Sequence, residues 1–349
     1  MAITDETLLV AATTRDRLIN ATKAQEVALA RAWVDAWDML SPEIMASLLE
    51  LMAQYAAKGR IPRSVVAKDV RLRRAIAQIN ASLREIARAG GEAVAALVPA
   101  EVLAAGPDLQ ASVDTQLPPG RTVPVVHPAP DALDAIVMRT QQRIHSRYKA
   151  LSTDSVRAMK TELIRGIAVG DNPRTTARRI MNRTQGRFEG GLSRAMAIAR
   201  TETLDAYRAA STAASAANTE VLAGRRWTAA LGSRTCPICI SKHGRIYPPG
   251  TDGPYDHVNG RCCFTDITKS WSELGIDGID EPAPIWTDRD AWWDTLTPSA
   301  QASLVGKGRA ELLASGRVRW ESLTELQQNV GWRPTFRLKP LQELVALED

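Results

Sequence analysis

Apolar residues recur at three- and four-residue spacing through most of the first 90 residues of the chain. The clearest stripe consists of Val27, Ala30, Val34, Trp37 and Leu40. This spacing places the side chains on one face of a helix, whereas a half-buried strand alternates at every second residue. The pattern therefore predicts amphipathic helices that pack through one apolar face.

Residues 1–105 are predicted to form an N-terminal helical region, a bundle or hairpin that packs on the rest of the chain or docks a partner. Ser41-Pro42 predicts a new helix start, because Ser is a good N-cap and Pro is tolerated at the first helical position. A further helix over 66–89 is predicted to stop at Gly90-Gly91, since Gly favours helix ends.

Residues 106–131 interrupt this pattern with prolines. These are Pro107, Pro118, Pro119, Pro124, Pro128 and Pro130. Proline prevents regular helix and restricts the residue before it. The composition predicts an exposed linker or an extended arm.

Charge divides the remainder of the chain, although the formal net charge is only +5. Residues 139–227 carry 17 Lys and Arg against 7 Asp and Glu, whereas residues 270–349 carry 8 against 13. We therefore predict a basic, helical segment within 132–269 and an acidic, Trp-containing C-terminal region over 270–349. Hydrophobic residues at 45% and charged residues at 24% are typical of a soluble globular protein.

One helix of the basic segment is predicted to begin at Asn172-Pro173, after Gly170 ends the preceding helix. It carries the candidate DNA-facing residues Arg174, Arg178, Arg179 and Arg183. Residues four apart share a helix face, so these side chains could lie along phosphates. A solvated face, or one that pairs with acidic neighbours, is the alternative.

A second helix of this segment is predicted from residue 192 to about residue 217. Arg200 and Glu202 lie two residues apart on it, so their side chains point to different sides and cannot pair directly. Each therefore needs another partner, such as the cysteine-rich segment that follows.

All four cysteines fall within 28 residues, and none precedes Cys236. The chain lacks both a secretory signal pattern and a run of 18 apolar residues, so we expect no membrane span and a reducing, cytoplasmic folding environment. Clustered cysteines there more often bind metal than form disulfides.

The cysteine spacing predicts a structural zinc site. Cys236 and Cys239 form a C-x2-C knuckle, followed by His257 and then Cys262 in a segment rich in Gly and Pro. Three thiolates and one imidazole complete a tetrahedral site with no open position. A disulfide or redox pair within the knuckle is the main alternative.

Two further residues compete for a place in this site. His243 lies four residues past Cys239 and is the rival imidazole, but His257 is preferred. Cys263 adjoins Cys262 and is predicted to be buried or spare, because adjacent residues rarely both reach one ion.

Several motifs in this order resemble the phage head morphogenesis family named after bacteriophage Mu protein F. They are ARTET (199–203), RRWTAALGSRTCPIC (225–239), HGRIYPP (243–249), HVNGRCC (257–263) and the Trp-led stretch that ends in 296–323. The resemblance covers about residues 135–325. Val258 and Gly260 stand where the family usually has Pro and a first Cys, and four candidate ligands still remain.

The resemblance implies a minor capsid protein, present in few copies and associated with the portal vertex, that acts in head assembly and in DNA packaging or delivery. It implies a virion location, in the capsid interior or at the portal vertex, after assembly in the host cytoplasm. The implied partners are the portal protein, with the major capsid or scaffolding protein and packaged DNA as further candidates. The implied role is structural, not enzymatic.

The main rival is an HNH-type nuclease, in which Asp256-His257 would supply the general base beside a zinc knuckle. Cys262 follows His257 too closely for the usual hairpin and helix, which argues against it. Gly306-Lys307-Gly308 lacks the remainder of a phosphate loop and is predicted to be a turn between helices. The tryptophans of the C-terminal region are predicted to pack, with base stacking as the alternative.

The predicted fold class is mainly α. It comprises a helical bundle or extended helices, a small loop-rich zinc-knuckle module and a short helical C-terminal region.

Overall fold

The computed structural model describes residues 3–56, 64, 68, 70–169, 173–251, 260, 262–329 and 332–346. Helix accounts for 62% and strand for 10%, which confirms the mainly α prediction. The chain divides into two units, each assembled from separate segments. Unit 1 comprises 1–20, 99–137 and 204–349, and unit 2 comprises 21–98 and 138–203.

The helices within the described residues are α1 (Asp5–Ala56), α2 (Val70–Ala95), α3 (Val98–Asp114), α4 (Pro130–Val169), α5 (Pro173–Ala216), α6 (Pro237–Lys242), α7 (Arg289–Asp294), α8 (Pro298–Val305), α9 (Lys307–Ala314) and α10 (Leu341–Val345). A 3₁₀ turn covers Trp320–Leu323. The strands are β1 (Leu222–Thr228), β2 (Ile246–Tyr247), β3 (Cys263–Thr268), β4 (Thr324–Asn329) and β5 (Trp332–Leu338).

Several predicted helix breaks are wrong. Helix α1 continues through Pro42, α2 continues through Gly90-Gly91, and α5 is one helix of 44 residues where two were predicted. Helix α3 runs through Pro107, in the stretch predicted to lack helix. One proline removes a single intrahelical hydrogen bond, and the buried Ala105 and Leu109 on either side keep α3 packed. The predicted boundary between α4 and α5 is confirmed.

Close helix packing explains why unit 2 tolerates glycine inside α2. A Cβ atom added at Gly90 would come within 2.9 Å of the Leu29 side chain and 3.2 Å of Tyr148. The buried Tyr148 hydroxyl in turn donates to the Ala195 carbonyl oxygen over 2.9 Å, which joins α4 to α5. Gly90 is therefore retained for contact rather than as a helix stop.

Arg200 and Glu202 each have an ion-pair partner within unit 2. Arg200 pairs with Glu26 of α1, and Glu202 lies 3.2 Å from the Arg147 guanidinium of α4. These two ion pairs do not involve the cysteine-rich segment, because the helices α1 and α4 flank this part of α5.

Unit 1 contains a three-stranded antiparallel sheet in the order β2-β1-β3. In the central strand β1, Arg225 pairs with Tyr247 of β2 on one side and Asp266 of β3 on the other. The sequence analysis predicted no strands here. The two arginines and one glycine of β1 hide its period-two pattern, because Arg225 faces inward and is fully buried.

Residues after α3 also pack within unit 1. Leu117 and Val125 join Leu109, Val113 and Leu222 in one buried cluster. The side-chain amide of Asn218 accepts from the Val126 N–H over 2.7 Å and donates to the Val126 carbonyl over 2.8 Å. The predicted division of the chain at 106 and 131 stays a prediction.

The C-terminal part of unit 1 is more than a short helical region. Strands β4 and β5 form an antiparallel hairpin that the sequence analysis did not predict. Trp293 and Trp320 pack edge to face with ring centroids 4.8 Å apart, which supports the predicted packing role of these tryptophans. Gly306, at a φ of 87°, makes the predicted turn between α8 and α9.

Among the residues that the structure describes, one helical stretch, 84–114, is long and apolar enough to cross a membrane by length and composition alone. Half of its most apolar window is buried inside the protein, and core helices share this composition.

Gln116 ties the end of α3 to the outer edge of the sheet. Its buried amide donates to the Asp266 carbonyl over 3.0 Å and to the Ser112 carbonyl over 2.9 Å, and its oxygen accepts from the Thr268 N–H over 3.0 Å. The Gln116 main-chain oxygen accepts from the indole N–H of Trp271. The Gln116 side chain therefore forms the hydrogen bonds to the outer edge of β3 that a further strand would otherwise form.

Gln116→Leu is expected to lower the free energy of unfolding by about 2 kcal/mol, because it leaves the buried Thr268 N–H without an acceptor. Urea denaturation measures this change. The matched substitution Gln328→Leu, on an exposed side chain of β4, should stay within about 0.5 kcal/mol of wild type. Equal effects of the two substitutions would contradict the role of Gln116.

Candidate functional site

The cysteine-rich module centres on the six-residue helix α6. Cys236 is its N-cap and Pro237 its first residue, and the Cys236 carbonyl accepts from the N–H groups of Cys239 and Ile240 at 3.0 Å each. The C-x2-C motif therefore wraps one helical turn. The last five residues of α6 are all buried, so the helix is held from every side.

Two of the predicted ligands share one buried cluster. Cys239 of α6 and Cys262, just before β3, pack with Trp227 and Ala229. Phe264 borders this cluster, and its ring meets Trp227 edge to face at 5.3 Å. Residues 23 positions apart in the chain are thus brought to one place by the pairing of β1 with β3.

Arg208 of α5 holds the backbone that carries Cys262. Its guanidinium donates to the Cys262 carbonyl over 2.8 Å and to the Gly260 carbonyl over 2.8 Å. Both hydrogen bonds are charge-assisted, and both come from the one planar guanidinium of Arg208. This arrangement fixes the course of the backbone from Gly260 to Cys262. This role of Arg208 could not be predicted from the sequence, because no spacing rule links a helix arginine to carbonyls more than 50 residues away.

The predicted zinc ligands are described only in part. All four cysteines lie among the described residues, and none of them forms a disulfide there. Within the described part of the chain, no group of three or more His, Cys, Asp and Glu side chains is arranged to hold a metal ion. His257 and its neighbours lie outside the described residues. The ligand set Cys236, Cys239, His257 and Cys262 therefore stays a prediction.

Cys263 lies on β3 opposite Thr228 of β1. Burial, with a smaller contribution from the neighbouring Cys262, raises the pKa of the Cys263 thiol to about 11. The thiol therefore stays protonated at neutral pH, as a small packing residue does.

His243 uses both of its ring nitrogens inside the module. Nδ1 lies 3.0 Å from the Ala229 N–H, which can only donate, so Nδ1 is the acceptor. Nε2 therefore carries the proton and donates to the Thr287 carbonyl over 2.9 Å. Burial lowers the pKa of His243, and the nearby Arg226 and Arg289 lower it further. The neutral ring joins the loop after β1 to the segment before α7.

Two buried cations complete the module, and the sequence analysis selected neither. The Arg225 guanidinium is 2.8 Å from the Asp266 carboxylate and also donates to Ser211 and Thr212 of α5. The Lys242 ammonium lies 3.7 Å from the centre of the Phe336 ring. Their partners come from 41 and 94 residues away, so only the fold reveals the pairing.

Leu231 adopts a φ of 45°, in the left-handed region that non-glycine residues rarely occupy. Its side chain packs both on the Cys239 cluster and on the Trp293 cluster of the C-terminal part. These contacts on two sides hold the backbone in a conformation that costs of order 1–3 kcal/mol.

The candidate DNA-facing arginines lie on α5. Arg178 is exposed, whereas the side chains of Arg174, Arg179 and Arg183 lie outside the described residues. Their contact with DNA stays a prediction.

The neutral state of His243 predicts a pH dependence. Because its pKa is lowered in the folded protein, the unfolded chain takes up the proton first as the pH falls below about 6.5. The free energy of unfolding should therefore be largest above that pH and fall as the pH is lowered towards 5.5. His243→Gln should flatten this slope in thermal denaturation, whereas His145→Gln, at an exposed position, should not. Identical slopes in all three proteins would rule out the assignment.

One comparison with known proteins matches this part of the chain. Residues 157–265 match a family model described as Phage Mu protein F like protein. No curated protein and no solved structure matches the chain. The matched segment runs from α4 into β3, and it includes all four predicted zinc ligands. Residues 157–265 are therefore similar to the Phage Mu protein F like family, and this match supports the phage head morphogenesis family that the sequence motifs resemble.

Proposed function

We propose that the protein is a structural component of a tailed-phage head that acts in head morphogenesis. The observation that carries this proposal is the family match over 157–265, which covers part of α4 and the whole of α5 and includes all four cysteines. The polar residues of the cysteine-rich module already serve the fold. His243, Arg225 and Arg208 each hold protein groups, which supports a scaffold rather than a reacting centre.

The finer role is a minor capsid protein at the portal vertex. The basic segment 139–227 would face packaged DNA, and the helical regions would dock the portal protein, with the major capsid or scaffolding protein as a further partner. The net excess of ten positive charges in that segment supports a polyanionic neighbour. The protein would assemble in the host cytoplasm and remain in the virion, inside the capsid or at the portal vertex.

Zinc is proposed from the donor types, three thiols and one imidazole, although the three described cysteines do not by themselves form a metal-binding group. Cys236 and Cys239 flank one turn of α6, and Cys239 packs in the same cluster as Cys262. With His257, these residues would hold the ion. Zinc bound by four protein ligands supplies folding free energy and leaves no site for a substrate. It would cross-link α6 to the chain before β3, two segments whose Cys239 and Cys262 side chains already pack in one cluster.

The zinc proposal is tested by metal content and stability together. The purified protein should contain about one zinc ion per chain, and both Cys239→Ser and His257→Ala should lose it and unfold at a lower temperature. Cys263→Ser is the matched control, because it changes an adjacent thiol that is predicted to be spare. The proposal would be refuted if removal of zinc left the melting temperature of the wild-type protein unchanged. It would also be refuted if Cys263→Ser lost as much zinc as Cys239→Ser.

The structural role is tested against the nuclease alternative with the same His257→Ala protein. Wild-type protein should leave plasmid DNA intact in the presence of Mg²⁺, Mn²⁺ or Zn²⁺. Metal-dependent cleavage that disappears in His257→Ala would contradict the structural role.

The head role is tested in the phage. An early stop codon in this gene should sharply reduce the number of DNA-filled heads seen by electron microscopy, and supplying the protein in trans should restore them. Mass spectrometry of purified wild-type virions should detect the protein at low copy number. Normal virion yield without the protein would contradict the proposal.

A further inference from the structure

Unit 1 contains a small pocket beside the central strand β1, with a cavity volume of about 70 Å³. Leu8 of α1 lines one side, Arg226 and Thr228 of β1 line a second, and Trp286 and Thr287 before α7 line a third. Arg226 is the one charged residue among the lining residues. Pockets for whole cofactors usually enclose about 300–1,000 Å³, so this pocket has room only for a small group of atoms.

The Arg226 guanidinium is held mainly through one of its flat faces. Its Cζ atom lies 3.9 Å from the centre of the Trp286 ring, a stacking contact that leaves the rim of the guanidinium for hydrogen bonds. Nε is buried and makes no hydrogen bond, whereas Nη2 makes one long, exposed hydrogen bond of 3.4 Å to the Thr287 carbonyl. The two terminal nitrogens are therefore the part of Arg226 that a ligand can reach.

Arg226 lacks a counter-ion. Among the residues that the structure describes, no carboxylate forms an ion pair with it, although the nearby Arg225 and Arg289 each have one. The Asp288 carboxylate accepts instead from the Ala291 N–H at the start of α7. Burial lowers the pKa of Arg226, and the charge of Asp288 offsets only part of this effect. The pocket therefore contains a partly desolvated cation whose charge is not compensated.

The rest of the lining favours a singly charged ligand. His243 uses both ring nitrogens within the protein and is neutral, and the Thr228 hydroxyl is hydrogen-bonded to a hydroxyl of β3 over 2.8 Å. Leu8 and Trp286 make the neighbouring walls apolar. A phosphate dianion would keep one negative charge uncompensated against these walls, which is costly. A carboxylate carries one charge, and its two oxygens match the planar fork of Arg226.

We propose that this pocket binds a carboxylate group, which the terminal nitrogens of Arg226 hold while its short hydrocarbon stem packs against Leu8 and Trp286. The carboxylate belongs either to a free short-chain acid or to an acidic side chain of a partner protein, since both present the same group to the pocket. The site goes beyond the head role, because it stands on the geometry around β1 alone.

The test measures binding of three small probes to the full chain by ligand-observed NMR. The probes are propionate, its neutral counterpart propionamide, and inorganic phosphate. Wild-type protein should bind propionate at least about tenfold more tightly than propionamide, because a hydrogen bond to a charged group is stronger than one to a neutral group. Arg226→Gln should weaken propionate binding by at least about tenfold. Arg121→Gln, at an exposed arginine outside the pocket, should leave it unchanged.

A further variant fills the pocket without a change of charge. Ala230 is an exposed lining residue, so Ala230→Phe should exclude propionate although Arg226 is retained. Thermal denaturation of each variant verifies that it folds, and the exposed position of Ala230 keeps the test valid if Arg226→Gln does not fold. The proposal would be overturned by propionate affinity that survives Ala230→Phe, by absence of propionate binding, by equal binding of propionamide, or by tighter binding of phosphate.

The source of the carboxylate is identified with glutamate blocked at both ends, as N-acetylglutamate N-methylamide, and with the corresponding glutamine compound. Binding of the glutamate compound as tight as that of propionate, and its loss in the glutamine compound, would support the site and assign it to an acidic side chain of a partner protein. Binding of propionate without the blocked glutamate would support the site and assign it to a free acid.

Discussion

The burial of one short helix organises unit 1. Helix α6 has only six residues, yet its side chains serve two separate clusters. Cys239 packs with Trp227 and Cys262 on one side, whereas Ile240 packs with Trp293 and Trp320 on the other. A helix of this length has almost no stability of its own. Its position is therefore fixed by the two clusters, and both clusters depend on the same turn of backbone.

The packing of α6 between the two clusters also determines where the surrounding polar residues lie. Arg225 and Asp266 pair across β1 and β3, and Lys242 lies against an aromatic ring of β5. Buried charges are tolerated only when they are paired or stacked, so each one restricts which strands can be neighbours. Acidic residues of the C-terminal part pair at the surface instead. Glu321 pairs with Arg289 and Glu325 with Arg337, and exposed pairs of this kind contribute little to stability.

The sequence allowed some of this to be predicted, for identifiable reasons. Helix periodicity is local, so the helical content and the end of α4 could be predicted. The turn at Gly306 and the grouping of the cysteines also follow from short stretches of sequence. Strand β1 could not be predicted, because its alternation is hidden by an inward-facing arginine whose partner is 41 residues away. The helix breaks predicted at Pro107 and Gly90 were wrong for the same reason, since contacts distant in sequence outweigh the preference of one residue.

The position of α6 has a consequence for how this protein can be divided. The family match stops at residue 265, inside β3, and leaves out Trp293, Trp320 and the rest of the cluster that covers Ile240. It also leaves out Gln116, which completes the outer edge of that strand. A fragment cut at the ends of the match would expose an unpaired strand edge and one apolar side of α6. Evolutionary family and folding unit therefore have different boundaries here, and insertions or recombination would be tolerated at the borders of the folding unit rather than at those of the family.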